Sequence, residues 1–157
     1  MTFPRTLAFV VACTLALAAG PASASWWSAH PATNNGPLHH ANGQKLVTGM
    51  GNKLHLVFQS GGSILHSMSS DGFTWSSPTA LFCGSPGRLP AIAADTSGYL
   101  AVVWVDNATS SLQYVYYDGT SWSMPVTVVA DGDEPSIVAR AGQVHLAWRT
   151  AAADRIR

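Results

Sequence analysis

Four aromatic residues beside turn signals, Trp75, Tyr116, Tyr117 and Trp122, are the side chains in this sequence best suited to recognising a ligand. Aromatic faces stack on the C–H faces of sugar rings, with nearby polar groups setting orientation. Trp75 and Trp122 would serve equally well as hairpin core, and Tyr116 and Tyr117, adjacent on a strand, must face opposite sides, so at most one of them lines any given pocket. A second set, Arg88, Asp106, Asn107, Asp131, Asp133, Glu134 and Arg149, supplies charge and hydrogen-bonding capacity. No metal centre is expected. His39-His40 are neighbours in a Gly/Asn-rich segment with no third ligand at diagnostic spacing, and His55 and His145 read as packing. No cofactor is implied.

The elements that position these residues begin after an N-terminal leader. Arg5, the apolar run Leu7 to Ala19 and the small-residue site Ala22-Ser23-Ala24 have the layout of a secretory signal peptide over residues 1–24, cleaved after Ala24. No apolar run approaches the roughly 20 residues that a transmembrane helix needs. The rest of the chain carries seven Lys and Arg against eight Asp and Glu, a net charge of −1. That balance leaves no basic surface for nucleic acid or anionic lipid. Cys83 is the one cysteine beyond the leader, so no internal disulfide is expected, and it reads as a buried thiol or, alternatively, as the partner of a cysteine absent from this chain.

The stretch SSDGFTWSSP (Ser69 to Pro78) returns as YYDGTSWSMP (Tyr116 to Pro125), with Asp71 and Asp118, Trp75 and Trp122, and Pro78 and Pro125 each 47 residues apart. GNKLHLVF, SGYLAVVW and AGQVHLAW form a second series, whose closing aromatics Phe58, Trp104 and Trp148 are 46 and 44 residues apart. Pro90 and Pro135, 45 apart, form a third. A period in the forties marks a repeat array. Each repeat reads as four short strands, in the most complete copy Ala91 to Ala94, Tyr99 to Val105, Leu112 to Tyr117 and Ser121 to Val129. Asp-Gly between apolar residues signals a hairpin, because Gly takes the positive φ of the turn at little cost. The second strand of that copy is apolar on both faces and must be covered from both sides.

These features predict an all-β chain, an incomplete β-propeller of four-stranded antiparallel blades with about two full blades and a partial blade at each end. A β-sandwich is the alternative. The segments are 25–44, with a possible outer strand at Trp26 and Trp27; blade repeats at 45–82 and 88–130; and a partial repeat at 134–157, in which Ile156 opens a third strand. An open stack would leave apolar faces in water, so the chain is expected to continue beyond Arg157 or to assemble with copies of itself. The polar set from Arg88 to Arg149 falls on the face formed by loops before first strands and after second strands.

Ser-Ser-Asp-Gly-Phe-Thr-Trp (Ser69 to Trp75) resembles the Asp-box, or BNR repeat, of sialidase-like β-propellers, with one residue missing between Asp and Gly. The second copy shares that deletion and carries Tyr116 where the pattern has Ser. The resemblance implies structural turns built by Asp71, Gly72 and Trp75 and by Asp118, Gly119 and Trp122. Gly87-Arg88-Leu89-Pro90 is similar to the Arg-Ile-Pro element of sialidases, whose Arg binds the substrate carboxylate; a planar guanidinium matches a carboxylate bidentately. Asp133-Glu134-Pro135 holds the same repeat position, and Asp71 precedes Arg88 where the family order is the reverse. Propeller lectins carry similar Asp-Gly-x-x-Trp repeats. The resemblance implies a secreted, lectin-like protein whose partner is an extracellular glycan or glycoconjugate. An exo-sialidase-type glycoside hydrolase and a structural or protein-binding propeller are the alternatives. Ligand-binding candidates are Arg88, Asp106, Asn107, Asp133, Glu134, Arg149 and Tyr116, with Arg88 the candidate for catalysis.

Overall fold

The computed structural model describes residues 43–84 and 86–150 and the backbone of Arg155 and Ile156. The expected signal peptide, the candidate outer strand at Trp26 and Trp27, and His39-His40 lie outside the described residues.

Among the described residues, eleven strands form three antiparallel sheets, each a meander of consecutive strands. The first sheet contains β1 (Leu46–Thr48), β2 (Leu54–Ser60), β3 (Ser63–Ser69) and β4 (Thr79–Ala80). The second contains β5 (Gly87–Ala94), β6 (Leu100–Asp106), β7 (Leu112–Tyr117) and β8 (Val126–Val129). The third contains β9 (Asp133–Arg140), β10 (Gln143–Thr150) and β11 (Arg155–Ile156). Among the described residues the only helical element is the 3₁₀ turn Met50–Asn52, and no helix is long and apolar enough to cross a membrane. The second strands of the three repeats, β2, β6 and β10, fall in three separate sheets, which excludes a two-layer sandwich.

The alternation along β6 explains the core. Leu100, Val102 and Trp104 point to one side and pack with Val57 and Ile64 of the first sheet. Ala101, Val103 and Val105 point to the other and pack with Ile137 of the third, where Leu146 and Trp148 join them half-buried. The middle sheet is therefore covered on both faces, as its composition requires. Each fully buried side chain such as Trp104 or Leu112 stabilises the stack by about 1.5–3 kcal/mol. Backbone bonds also stitch the first two sheets: Gly87 N–H donates to the Gly62 carbonyl at 2.7 Å and Met50 N–H to the Gly98 carbonyl at 3.1 Å.

The strand limits of β6 differ from those expected by one residue at each end, and those of β5 and β8 by more. β5 begins at Gly87 instead of Ala91, because a bulge between Arg88 and Ala91 carries the pairing past Pro90. Leu89 takes φ 52° there, and Glu134, just before Pro135, takes φ 49° at the equivalent place. A proline has no N–H for the ladder to lose, which makes a bulge its natural site within a strand. β8 is confined to Val126–Val129, after Pro125, and Trp122 contributes an isolated bridge to Tyr117. Trp75 likewise lies off any strand, in the irregular segment between β3 and β4. Cys83 is exposed, not buried, because it sits in the loop between β4 and β5.

Candidate functional site

The repeated bulge aims charged residues at one end of the second and third sheets. Arg88 Nη2 lies 3.0 Å from Asp133 Oδ1, and Arg149 Nη2 lies 2.9 Å from Asp133 Oδ2. Arg149 Nε is 3.4 Å from Glu134 Oε2, and Arg88 Nη1 donates to Asn107 Oδ1 at 3.3 Å. Five of the predicted ligand-binding residues, Arg88, Asn107, Asp133, Glu134 and Arg149, thus converge. Two guanidinium groups share one carboxylate, so the cluster is a closed net of opposite charges across β5, β9 and β10.

Asp106 is placed differently. Its Oδ1 accepts the N–H groups of Ala108 at 2.8 Å and Thr109 at 3.1 Å, which caps the turn after β6. Asp131 lies in the turn that leads into β9. Asp71 and Asp118 do for their turns what Asp106 does for its own. Asp71 Oδ1 accepts from Phe73 N–H at 2.8 Å and Thr74 N–H at 2.7 Å, and these bonds hold its pKa down to about 2. Asp118 Oδ1 accepts from Thr120 and Ser121, both at 2.8 Å, which lowers its pKa too. The next residue in each turn, Gly72 or Gly119, has φ 77° or 95°, where a Cβ would be strained.

At the opposite end of the same two sheets a groove of about 340 Å³ opens between β6–β7 and the β9–β10 turn. Tyr99, Tyr114 and Tyr116 edge it, with Asp95 and Gln143 as polar neighbours and Val144 on the far wall. Tyr114 and Tyr116 are two residues apart on β7 and so share a face, whereas Tyr117 packs toward the first sheet. Burial, and then the neighbouring Tyr116, push the Tyr114 phenol above its ordinary pKa. The groove offers aromatic and apolar walls with a few polar groups, an arrangement suited to stacking and orienting a ring. Of its lining, the sequence singles out Tyr116 as a ligand-binding candidate and Asp118 as a structural turn residue. Tyr99, Tyr114 and Gln143 were missed, although the alternation that separates Tyr116 from Tyr117 also pairs Tyr116 with Tyr114.

No protein-family model and no curated protein matches the chain. Among solved structures it is similar to a point mutant of NanB sialidase from Streptococcus pneumoniae, with a TM-score of 0.48 and 15% identity over 71% of this chain and 22% of that one. It is also similar to NanB sialidase from the same organism in complex with a chlorobenzylammonio-ethanesulfonate, with a TM-score of 0.46 and 16% identity over 73% of this chain and 22% of that one. The chain therefore spans about a fifth of the length of these sialidases.

Proposed function

We propose that the three sheets are consecutive blades of a BNR-type β-propeller in an exported protein, and that the protein binds glycans through the groove between the second and third sheets. The observation that carries the binding reading is the groove edged by Tyr99, Tyr114 and Tyr116. Tyr116 is half exposed, so its ring can meet a ligand without rearrangement. The propeller reading is supported by the double cover of the middle sheet and by the repeat of Asp-Gly turns at one period. The test is a glycan array probed with the chain, followed by titration of any hit. Binding that Tyr116→Ala and Tyr114→Phe weaken unequally, with circular dichroism unchanged, supports it; indifference to Tyr116→Ala refutes it.

A second reading, a sialidase-type hydrolase, is favoured by the convergence of Arg88 and Arg149 on a single carboxylate. A ligand carboxylate would have to displace Asp133 to use that pair. Release of a fluorogenic group from a sialoside, lost in Arg88→Ala, would support it. With neither glycan binding nor hydrolysis, the chain is a structural or protein-binding module.

A further inference from the structure

Two histidines meet inside the first interface. His55 on β2 and His66 on β3 are buried, and His55 Nδ1 lies 3.0 Å from His66 Nε2. Their ring planes differ by 16° and their centroids are 5.2 Å apart. That separation equals the 3.0 Å contact plus the two ring radii, so the rings meet nitrogen to nitrogen in nearly one plane. In this geometry the N–H of one ring points at the lone pair of the other, and a single proton occupies the gap. Two lone pairs aimed at each other along one line do not converge on a metal ion.

The second sheet closes over the pair. Trp122 stands edge-on to His66 at 5.1 Å, and Tyr117 lies 6.4 Å from His55 and 5.1 Å from Trp122. A Cβ at Gly49 would fall 2.8 Å from His55 Cδ2 and 2.9 Å from Leu100 Cδ2, so only glycine lets the chain pass between the ring and the second sheet. Burial first, and then the Lys53 cation, disfavour charge on His55, and Tyr117, the other titratable neighbour, donates its hydroxyl to the Gly119 carbonyl at 2.9 Å. Burial first, and then His55, hold the His66 pKa down to about 4. At the register positions that match His55 and His66, the second sheet has Ala101 and Tyr114.

We propose that His55 and His66 form a proton-operated latch between the first and second sheets: the singly bridged pair seats Tyr117 and Trp122, and protonation of both rings breaks that contact. A first added proton goes to an outward-facing nitrogen and leaves the bridge intact. A second sets N–H against N–H and cation against cation, and the rings must part.

The test is hydrogen exchange read by mass spectrometry on the full chain at pH 7 and at about pH 3.5, corrected for intrinsic rates. The control is a double variant that copies the second sheet, His55→Ala with His66→Tyr. In the native chain, peptides from β2 and β3 should exchange roughly tenfold faster in acid while those from β9 and β10 change little; in the control this difference should vanish. Equal acid sensitivity of native chain and control, or none in the native chain, overturns the proposal. If the control does not fold, a histidine NMR titration of the native chain decides: coupled titration below the ordinary histidine range sustains the latch, and independent titration near 6.5 overturns it.

Discussion

The two interfaces of this stack use the same register positions and fill them differently. Between the first and second sheets the layer is sealed: Tyr117 and Trp122 lie over His55 and His66, and Trp104 sits fully buried beneath Gly87. Between the second and third, Ala101 and Tyr114 stand where the histidines stood, and the matching space is open as the tyrosine-edged groove. Repetition of backbone thus does not impose repetition of function. One layer is committed to cohesion and a buried proton, and its neighbour presents aromatic edges to solvent.

The sharpest way to break the comparison is to empty each interface at its equivalent tryptophan. Trp104→Ala should cost about 3–5 kcal/mol in urea unfolding, and Trp148→Ala, half-buried, about 2 kcal/mol. Equal losses would mean that the two layers are equally sealed. Acid is the next largest lever. His66 is neutral in the fold until about pH 4, whereas the unfolded chain takes up that proton near 6.5. The unfolded state therefore binds more protons in that window, and stability should fall by on the order of 3 kcal/mol from pH 6.5 to 4, with no further loss from this group below it. Denaturant midpoints across that range check the slope, which His66→Tyr should flatten.

Smaller effects sharpen the contrast. A Cβ on Gly87 would lie 2.7 Å from Trp104 Cδ1 and 2.8 Å from Ile64 Cγ1, so Gly87→Ala should destabilise by about 1–3 kcal/mol in thermal or urea melts. Asp133→Ala removes the carboxylate shared by Arg88 and Arg149, both about a third exposed, and should cost about 1 kcal/mol, less at high salt. Tyr116→Ala should shift stability by less than about 0.5 kcal/mol while lowering glycan affinity. A large stability loss there would mark Tyr116 as core.

Strand order and the face each β6 residue presents were legible from spacing and alternation, because period-2 burial leaves its mark directly on composition. The Asp-Gly turns were legible for the same local reason: Asp71 and Asp118 bond to N–H groups two and three residues on. The convergence of Arg88, Asp133 and Arg149 was legible only as shared placement at one end, since the ion pairs depend on bulges that re-aim side chains. Asp106 caps its own turn and stands outside that net of ion pairs, a placement that sequence does not reveal because a turn-capping carboxylate and a ligand-binding one look alike there. The meeting of His55 and His66 left no signal, since it needs both the β2–β3 register and the absence of a side chain at Gly49.

Meander connectivity has a kinetic corollary. Among the described strands, every hydrogen-bonded neighbour within a sheet is also the next strand along the chain, so each sheet can zip up through short loop closures before it touches another. Docking then becomes the later and more hazardous event, because the middle sheet, oily on both sides, is the species with most to lose by waiting. Refolding yield should accordingly depend on protein concentration more steeply than the rate of strand formation does.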